Sequence, residues 1–235
     1  MQFTRPAGDV PMRKLSASQL KIAAWAGIVG PALFVAVFTI EGWLRPGYNP
    51  LSTYVSALSL GPRGWIQIAN FLVFGLLLFG FARGVAREFQ SGKASRGGLT
   101  LLIIIAACYF FSGPFVMDPD GTPLNQVTIH GTIHGILGAI AFLLMPISIF
   151  VYLRRFNTDP KWLVMRGWSL ILGFICAAAL VVFTVVSKFP QFQATFADWF
   201  GLIQRVLIVP FMIWVFVFAM TLLKVVSQRD ITTEA

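Results

Sequence analysis

Long apolar runs separated by short polar segments make up most of the chain. Six such runs lie at about 20–44, 64–86, 98–117, 130–153, 163–187 and 200–223. A helix of about twenty apolar residues rises about 1.5 Å per residue and so crosses a hydrocarbon core about 30 Å thick. The pattern therefore predicts an all-α, polytopic membrane protein, with a bundle of six transmembrane helices over residues 20–225.

The composition supports this interpretation and excludes a soluble globular protein. Apolar residues make up 57% of the 235 residues and charged residues only 11%, whereas soluble chains have about 45–50% and about 25%. The segments between the runs are short. They leave no room for a separate nucleotide-binding domain or receptor ectodomain, so any function has to reside in the bundle or at its rim.

The 18 Lys and Arg residues are distributed unevenly along the chain. Fourteen lie before or at the start of the first run, after the second, between the fourth and fifth, or at the end of the chain. Arg45 and Arg63 lie between the first and second runs, Lys188 lies between the fifth and sixth, and Arg205 lies inside the sixth run. Because cytoplasmic segments carry the excess of Lys and Arg, we expect both tails, 1–19 and 226–235, to be cytoplasmic.

The same distribution explains the net charge of +9 without nucleic acid as a partner. Basic segments beside membrane helices contact anionic lipids. We therefore expect membrane lipids as partners in a bacterial or archaeal cytoplasmic membrane, with another membrane protein as an alternative partner.

The first outer segment carries start and stop signals for a short helix. Asn49 is a good N-cap, Pro50 suits the first helical position, and Gly61-Pro62 is a stop. The serines at 52, 56 and 59 share one face of such a helix. The sequence predicts a helix over residues 49–60 on the outer surface, with Ser56 facing water or a cavity.

A few ionisable residues lie inside the apolar runs or at their outer ends. They are Glu41, Asp118, Asp120, His130, His134 and Arg205. An uncompensated charge in the hydrocarbon costs at least ~2.5 kcal/mol, so these groups should converge. We expect Glu41 to pair with Arg205 and Asp118 to lie near the histidines. Glu41, Asp118, His130, His134 and Arg205, together with Ser56, would form an outward-facing pocket for a small ligand or a lipid headgroup.

His130 and His134 lie four residues apart, so a helix places both imidazoles on one face. With Asp118 they could bind a divalent metal such as zinc. Gly131 follows His130, so the glutamate of the HExxH zinc hydrolases is missing. Two histidines also exclude a three-histidine site. Three interpretations remain open: a hydrogen-bonded structural plug, a ligand pocket and a metal site.

These interpretations correspond to different functions. A ligand pocket would belong to a sensor, a carrier or an enzyme subunit. A metal site would belong to a lipid hydrolase, with Glu41 as a possible base. A plug would suit a non-catalytic subunit that packs beside a larger membrane complex. The chain contains no GxxxxGK[ST], GxGxxG, GxSxG or CxxC motif, so phosphate loops, dinucleotide sites, serine-hydrolase elbows and redox pairs are unsupported.

The order of several motifs resembles that of a known family. Glu41 and a Gly47-Tyr48 turn are followed by SALSLG at 56–61, Asn70 and Gly75, residues 115–118, and HGTIHG at 130–135. This order resembles a bacterial and archaeal family of six-helix membrane proteins, domain of unknown function nine-nine-eight. The resemblance implies the fold and no activity. A serine, an aspartate and HxxxH are more distantly similar to the membrane hydrolases that include alkaline ceramidases, from which this chain departs because it lacks a third histidine.

Overall fold

The computed structural model describes residues 16–89 and 93–234, and it describes their side chains except at 93–95 and 230–234. The described chain is helical, with no strand in these ranges. Its α-helices are α1 (Ala17–Leu44), α2 (Gly64–Glu88), α3 (Lys93–Phe111), α4 (Ile129–Phe156), α5 (Val164–Lys188), α6 (Pro190–Thr195) and α7 (Phe200–Glu234). Within the described residues, α1, α2, α4, α5 and α7 are long and apolar enough to cross a membrane. The prediction of an all-α membrane protein is confirmed at this level.

The third helix is shorter than predicted. It was expected to reach residue 117, but α3 ends at Phe111 and its apolar part is Arg96–Phe111. Gly113 and Pro114 follow at once, and proline has no N–H with which to continue a helix. Asp118 therefore lies in the connection between α3 and α4 and not on a helix end.

The last helix is longer than predicted. The sixth span was expected at 200–223, with a separate tail at 226–235, but α7 continues to Glu234. Arg229 on this extension forms an ion pair with Glu88 at the end of α2. The two residues bring the end of α2 and the last turns of α7 together.

The helices pack in chain order, and α7 completes the bundle. α2 packs on α1 and α3, α4 packs on α3 and α5, and α7 packs on both α1 and α5. Small residues allow close approach, as in many membrane bundles. A Cβ at Gly27 on α1 would overlap Phe81 of α2, and one at Gly84 on α2 would overlap Ala23 of α1.

The two ends of the bundle have different chemistry. One end contains a buried aromatic cluster formed by Phe89, Tyr152, Phe156, Trp162 and Phe218. The opposite end carries the connections 45–63, 112–128 and 189–199, and we call it the loop end. The ionisable residues predicted to form a site all lie toward the loop end.

The outer segment is not the continuous helix that the sequence predicted over residues 49–60. Asn49 does accept a hydrogen bond from the backbone of Leu51 through its side chain, but the turn that it starts stops before Tyr54. A 3-10 helix then runs over Val55–Ser59. Gly61 adopts a positive φ of 72°, a conformation that favours glycine, so the predicted stop is present. Val55 and Leu58 are buried, which makes this segment a cap on the bundle.

Candidate functional site

Glu41 is buried near the end of α1 and pairs with two arginines. Its Oε1 accepts hydrogen bonds from Nε and Nη2 of Arg45 at 3.2 and 3.0 Å. Arg63, at the start of α2, donates to Oε1 from Nε at 2.9 Å and to Oε2 from Nη2. Both carboxylate oxygens are therefore occupied by guanidinium groups.

Arg45 also binds the 3-10 helix that follows it. Its Nη2 donates to the carbonyl of Leu58 at 2.8 Å, and its Nη1 donates to that of Leu60 at 3.0 Å. Helix ends expose carbonyls without intrahelical partners, and a cation stabilises them. Glu41 thus neutralises an arginine that fixes the outer cap, which is a structural role.

Arg205 on α7 has partners other than the predicted one. Its Nη1 donates to the carbonyls of Pro50, Thr53 and Gly201, and its Nη2 donates to the hydroxyl of Tyr48 at 2.6 Å. The predicted ion pair between Glu41 and Arg205 is therefore wrong. Carbonyls of the outer segment satisfy this arginine because the segment folds back over the start of α7.

Asp118 fixes the start of α4. Its Oδ1 accepts from the hydroxyl of Thr128 at 2.8 Å, and its Oδ2 accepts from the backbone N–H of the same residue at 2.9 Å. Thr128 is the N-cap of α4 and accepts a hydrogen bond from the backbone of Gly131. A Cβ at residue 131 would overlap the Asp118 carboxylate. The glycine of the HGTIHG motif is therefore required for this contact.

The two histidines have different environments. His134 is buried, its Nδ1 lies 2.7 Å from the carbonyl oxygen of Phe115, and its ring packs edge-on against Phe71. That short contact is a hydrogen bond when Nδ1 carries the proton, which makes Nε2 the acceptor nitrogen of the neutral imidazole. His130 is exposed and contacts the ring of Phe115.

The predicted metal set is not assembled. Across residues 16–89 and 93–234, no three His, Cys, Asp or Glu side chains lie together as a metal site would require. Thr128 donates hydrogen bonds to both carboxylate oxygens of Asp118. His130 contacts the ring of Phe115, whereas His134 contacts the carbonyl oxygen of Phe115 and the ring of Phe71. Glu41, Asp118, His134 and Arg205 each have their own hydrogen-bond partners, so their convergence in one cluster stays a prediction.

A groove of about 490 Å³ lies at the loop end beside α4. We call it the α4 groove. It includes Ser56, Asp118 and His134 from the predicted set and does not include Glu41, His130 or Arg205. The other lining residues used below are Tyr54, Asp120, Gly131, Gly135, Gly138, Ala139, Phe142, Phe183 and Lys188.

Glycines form the α4 wall of this groove. Gly131, Gly135 and Gly138 follow one another at spacings of four and three, so they share one face of the helix. A Cβ at Gly135 or Gly138 would meet no described atom within 4 Å. The missing side chains leave space along about 10 Å of helix between 131 and 138.

Aromatic rings form the facing wall. The ring centroid of Phe183 on α5 lies 6.0 Å from that of Tyr54 and 5.5 Å from that of Phe142. Burial raises the pKa of the Tyr54 hydroxyl to about 12, and the nearby Asp120 charge contributes in the same direction. Tyr54 therefore stays neutral and presents a hydroxyl donor at physiological pH.

Two carboxylates and one ammonium border the groove. Asp118 and Asp120 come from the connection before α4, and Lys188 ends α5. Burial raises the pKa of Asp120 above its ordinary value. An exposed carboxylate at the rim of a groove with an aromatic wall favours a positively charged ligand group.

A smaller chamber of about 30 Å³ lies deeper in the bundle and shares Ser56, His134, Gly138 and Phe142 with the α4 groove. Tyr109 also lines it, and its buried hydroxyl has no hydrogen-bond partner among the described residues. A space of this size holds one water.

Sequence reasoning missed several of these lining residues. In the sequence, Tyr54, Tyr109 and Phe183 cannot be distinguished from aromatic residues that only pack in the bundle. Gly135 and Gly138 likewise cannot be distinguished from glycines that allow close helix packing. The spacing of Gly131, Gly135 and Gly138 on one face was the available signal, since it predicts a smooth helical surface that a ligand or another helix can approach.

Comparison with known proteins gives a family and no activity. A search of curated proteins and a search of solved structures give no match. One family model, described as Protein of unknown function (DUF998), matches residues 28–221. This match includes α2 to α5, most of α1 and α7, and every residue of the α4 groove named above. The chain therefore belongs to the family described as Protein of unknown function (DUF998).

Proposed function

We propose that this protein binds an amphiphilic ligand, a lipid by its headgroup, in the α4 groove of a six-span bundle. The observation that carries the proposal is a groove of about 490 Å³ that combines charged and polar groups with a helix face lacking Cβ atoms. Ligand pockets usually measure about 300–1,000 Å³ and are mostly apolar with a few polar groups. The α4 groove has both properties.

The position of α3 supports six spans. Glu88, at the end of α2, pairs with Arg229 on the last turns of α7, away from the loop end. Asp118, which follows α3, caps α4 at the loop end. α3 therefore runs from one end of the bundle to the other. The apolar stretch Arg96–Phe111 is short for a span, and residues 112–117 continue it toward the loop end.

The charge distribution supports an orientation with the loop end outside. By sequence, fourteen Lys and Arg residues lie in or beside the two tails and the connections between the second and third and between the fourth and fifth predicted spans, against three in or beside the loop-end connections. In a bacterial or archaeal cytoplasmic membrane, both termini would then be cytoplasmic. The α4 groove would open toward the outer leaflet and the outer aqueous phase.

The ligand is expected to enter from the outer leaflet, because the groove has both a polar and an apolar part. Asp118, Asp120 and Lys188 lie at the loop end, and Gly135, Gly138, Ala139 and Phe142 continue toward the middle of the bundle. A lipid presents its headgroup and chains in the same order from the membrane surface inward.

The alternative function, a non-catalytic subunit that packs beside a larger membrane complex, stays a prediction.

Filling the groove tests the proposal. Gly135→Leu and Gly138→Leu place side chains in the groove, whereas Gly167→Leu places one in open space on α5, outside the groove. Native mass spectrometry of the full chain, purified in mild detergent, would count the lipids that each variant retains. We expect both groove variants to lose a retained lipid that the wild type and the Gly167 variant keep. Equal retention in all four proteins would contradict the proposal.

A further inference from the structure

We propose that the α4 groove selects a zwitterionic phospholipid, one whose headgroup carries an ammonium group beyond its phosphate. This inference rests on the proposed function and names the ligand class of the same groove. It follows from the placement of charges, aromatic rings, glycines and one unpartnered hydroxyl around a single continuous space.

The ammonium site lies between Asp120 and Tyr54. Asp120 supplies a negative charge and lines the same groove as Tyr54. The Tyr54 ring packs against Phe183, so this groove also has an aromatic wall. A carboxylate combined with aromatic faces binds ammonium groups by ion pairing and by cation–π attraction.

The phosphate site is Lys188. This exposed residue ends α5 and lines the same groove as Asp118 and Asp120. One ammonium beside two carboxylates matches a ligand with one negative group and one positive group. A lipid with only a phosphate charge would leave Asp120 without a partner and would be repelled by both carboxylates.

The acyl chain follows the glycine face of α4. The open positions at Gly135 and Gly138 lead from the charged rim toward Ala139 and Phe142, both apolar. This apolar face makes the occupant a lipid and not a free amine, because a soluble amine would leave it uncovered.

The deeper chamber supplies an independent polar contact. The Tyr109 hydroxyl is buried and has no hydrogen-bond partner among the described residues, and it lines a space that holds one water. Because this chamber shares His134 and Ser56 with the groove, a water there would connect Tyr109 to the bound lipid. A buried hydroxyl without a hydrogen-bond partner costs free energy of folding, so a water that bonds to Tyr109 stabilises the protein.

The test measures headgroup preference in the full-length protein. The protein is equilibrated with equal amounts of phosphatidylethanolamine and phosphatidylglycerol of the same chain length, and retained lipid is counted by native mass spectrometry. We expect the ethanolamine lipid to be retained up to about fivefold over the glycerol lipid, the upper end of what one exposed ion pair gives. Asp120→Asn should bring the ratio close to one. Asp198→Asn removes the same charge from the loop end outside the groove and should leave the ratio unchanged.

The outcomes separate this inference from the proposed function. If the groove-filling glycine variants lose lipid but the wild type retains both headgroups equally, the headgroup inference is wrong and the binding site stands. If no glycine variant changes retention, both are wrong. If soluble phosphoethanolamine at a concentration equal to that of the lipid displaces the lipid completely, the acyl chains contribute nothing to binding. The assignment of the ligand as a lipid is then wrong.

Discussion

The Asp118 carboxylate occupies the space that a side chain at residue 131 would need. A Cβ at Gly131 would overlap Oδ2 of Asp118, which accepts a hydrogen bond from the backbone of Thr128. Asp118 and the first glycine of the HGTIHG motif, Gly131, are therefore coupled by packing. Together they fix the start of α4 and the part of the α4 groove that is nearest the loop end.

Alanine substitutions along the glycine face should have opposite signs. Gly131→Ala should displace Asp118 and weaken the cap of α4, which costs about 1–2 kcal/mol. Gly135→Ala, where a Cβ meets no described atom within 4 Å, should stabilise the helix by up to about 1 kcal/mol. Thermal unfolding in one detergent measures both. A stabilising effect at 131 would contradict the contact with Asp118.

Removing the charge of Glu41 should destabilise the protein without affecting lipid retention. Glu41→Gln leaves the guanidinium groups of Arg45 and Arg63 without a counter-charge, so the variant should unfold at a lower temperature than the wild type. The control is Asp159→Asn, which removes a carboxylate whose partner Arg155 lies 3.8 Å away and should cost under about 1 kcal/mol. Loss of lipid retention in a folded Glu41→Gln protein would instead place Glu41 in the binding site.

The pH dependence of binding should follow Asp120. Burial raises the pKa of this carboxyl, so on acidification it becomes neutral at a higher pH than an ordinary aspartate. Preference for the ammonium lipid should therefore increase as the pH rises through the raised pKa, above the ordinary aspartate value of about 3.9. The ratio of retained lipids, measured across this range, should be flat in Asp120→Asn.

The same carboxyl affects stability with the opposite sign. A group with a raised pKa in the folded state contributes stability that is present below its unfolded pKa and is lost as the pH rises through the folded value. Without lipid, the wild type should therefore lose thermal stability relative to Asp120→Asn on going from about pH 4 to about pH 7. An increase in relative stability would show that the carboxylate is paired within the protein.

Tyr109→Phe should weaken lipid binding and leave the fold intact. The substitution removes a hydroxyl that has no partner among the described residues, so the unfolding temperature should stay the same or rise. If the water in the deeper chamber joins Tyr109 to the lipid, lipid affinity should fall by a few fold, the effect of one lost hydrogen bond of about 1 kcal/mol. Tyr152→Phe, which removes another unpartnered hydroxyl at the opposite end, is the matched control.

Sequence reasoning predicted the elements better than their partners. Hydrophobic run length is a local property, so it identified the long helices. It overestimated the length of α3, which ends before the proline at 114. The energetic argument that buried charges find partners also succeeded for Glu41 and Arg205. It could not name those partners, because Arg63 was counted as a loop residue and because the carbonyls of residues 50 and 53 become acceptors only once the outer segment folds onto α7.

The predicted metal ligands are not brought together, for a related reason. Spacing places His130 and His134 on one side of α4, but it does not reveal that Thr128 donates to both oxygens of Asp118, or that the histidines contact the ring and the carbonyl of Phe115. The α4 groove was partly predictable, since Ser56, Asp118 and His134 do line it. Its aromatic wall comes from α5, which carried no polar signal.

Photo-crosslinking with a phosphatidylethanolamine that carries a photoreactive acyl chain tests the central claim most directly. The chain also has an apolar groove of about 510 Å³ between α1 and α7, lined by residues such as Val35 and Met212, which serves as an internal comparison. We predict that crosslinked peptides, mapped by mass spectrometry, come from α4 and α5 around Gly135 and Phe183, and that Gly135→Leu abolishes them. Crosslinks confined to α1 and α7, or unchanged in Gly135→Leu, would contradict the account.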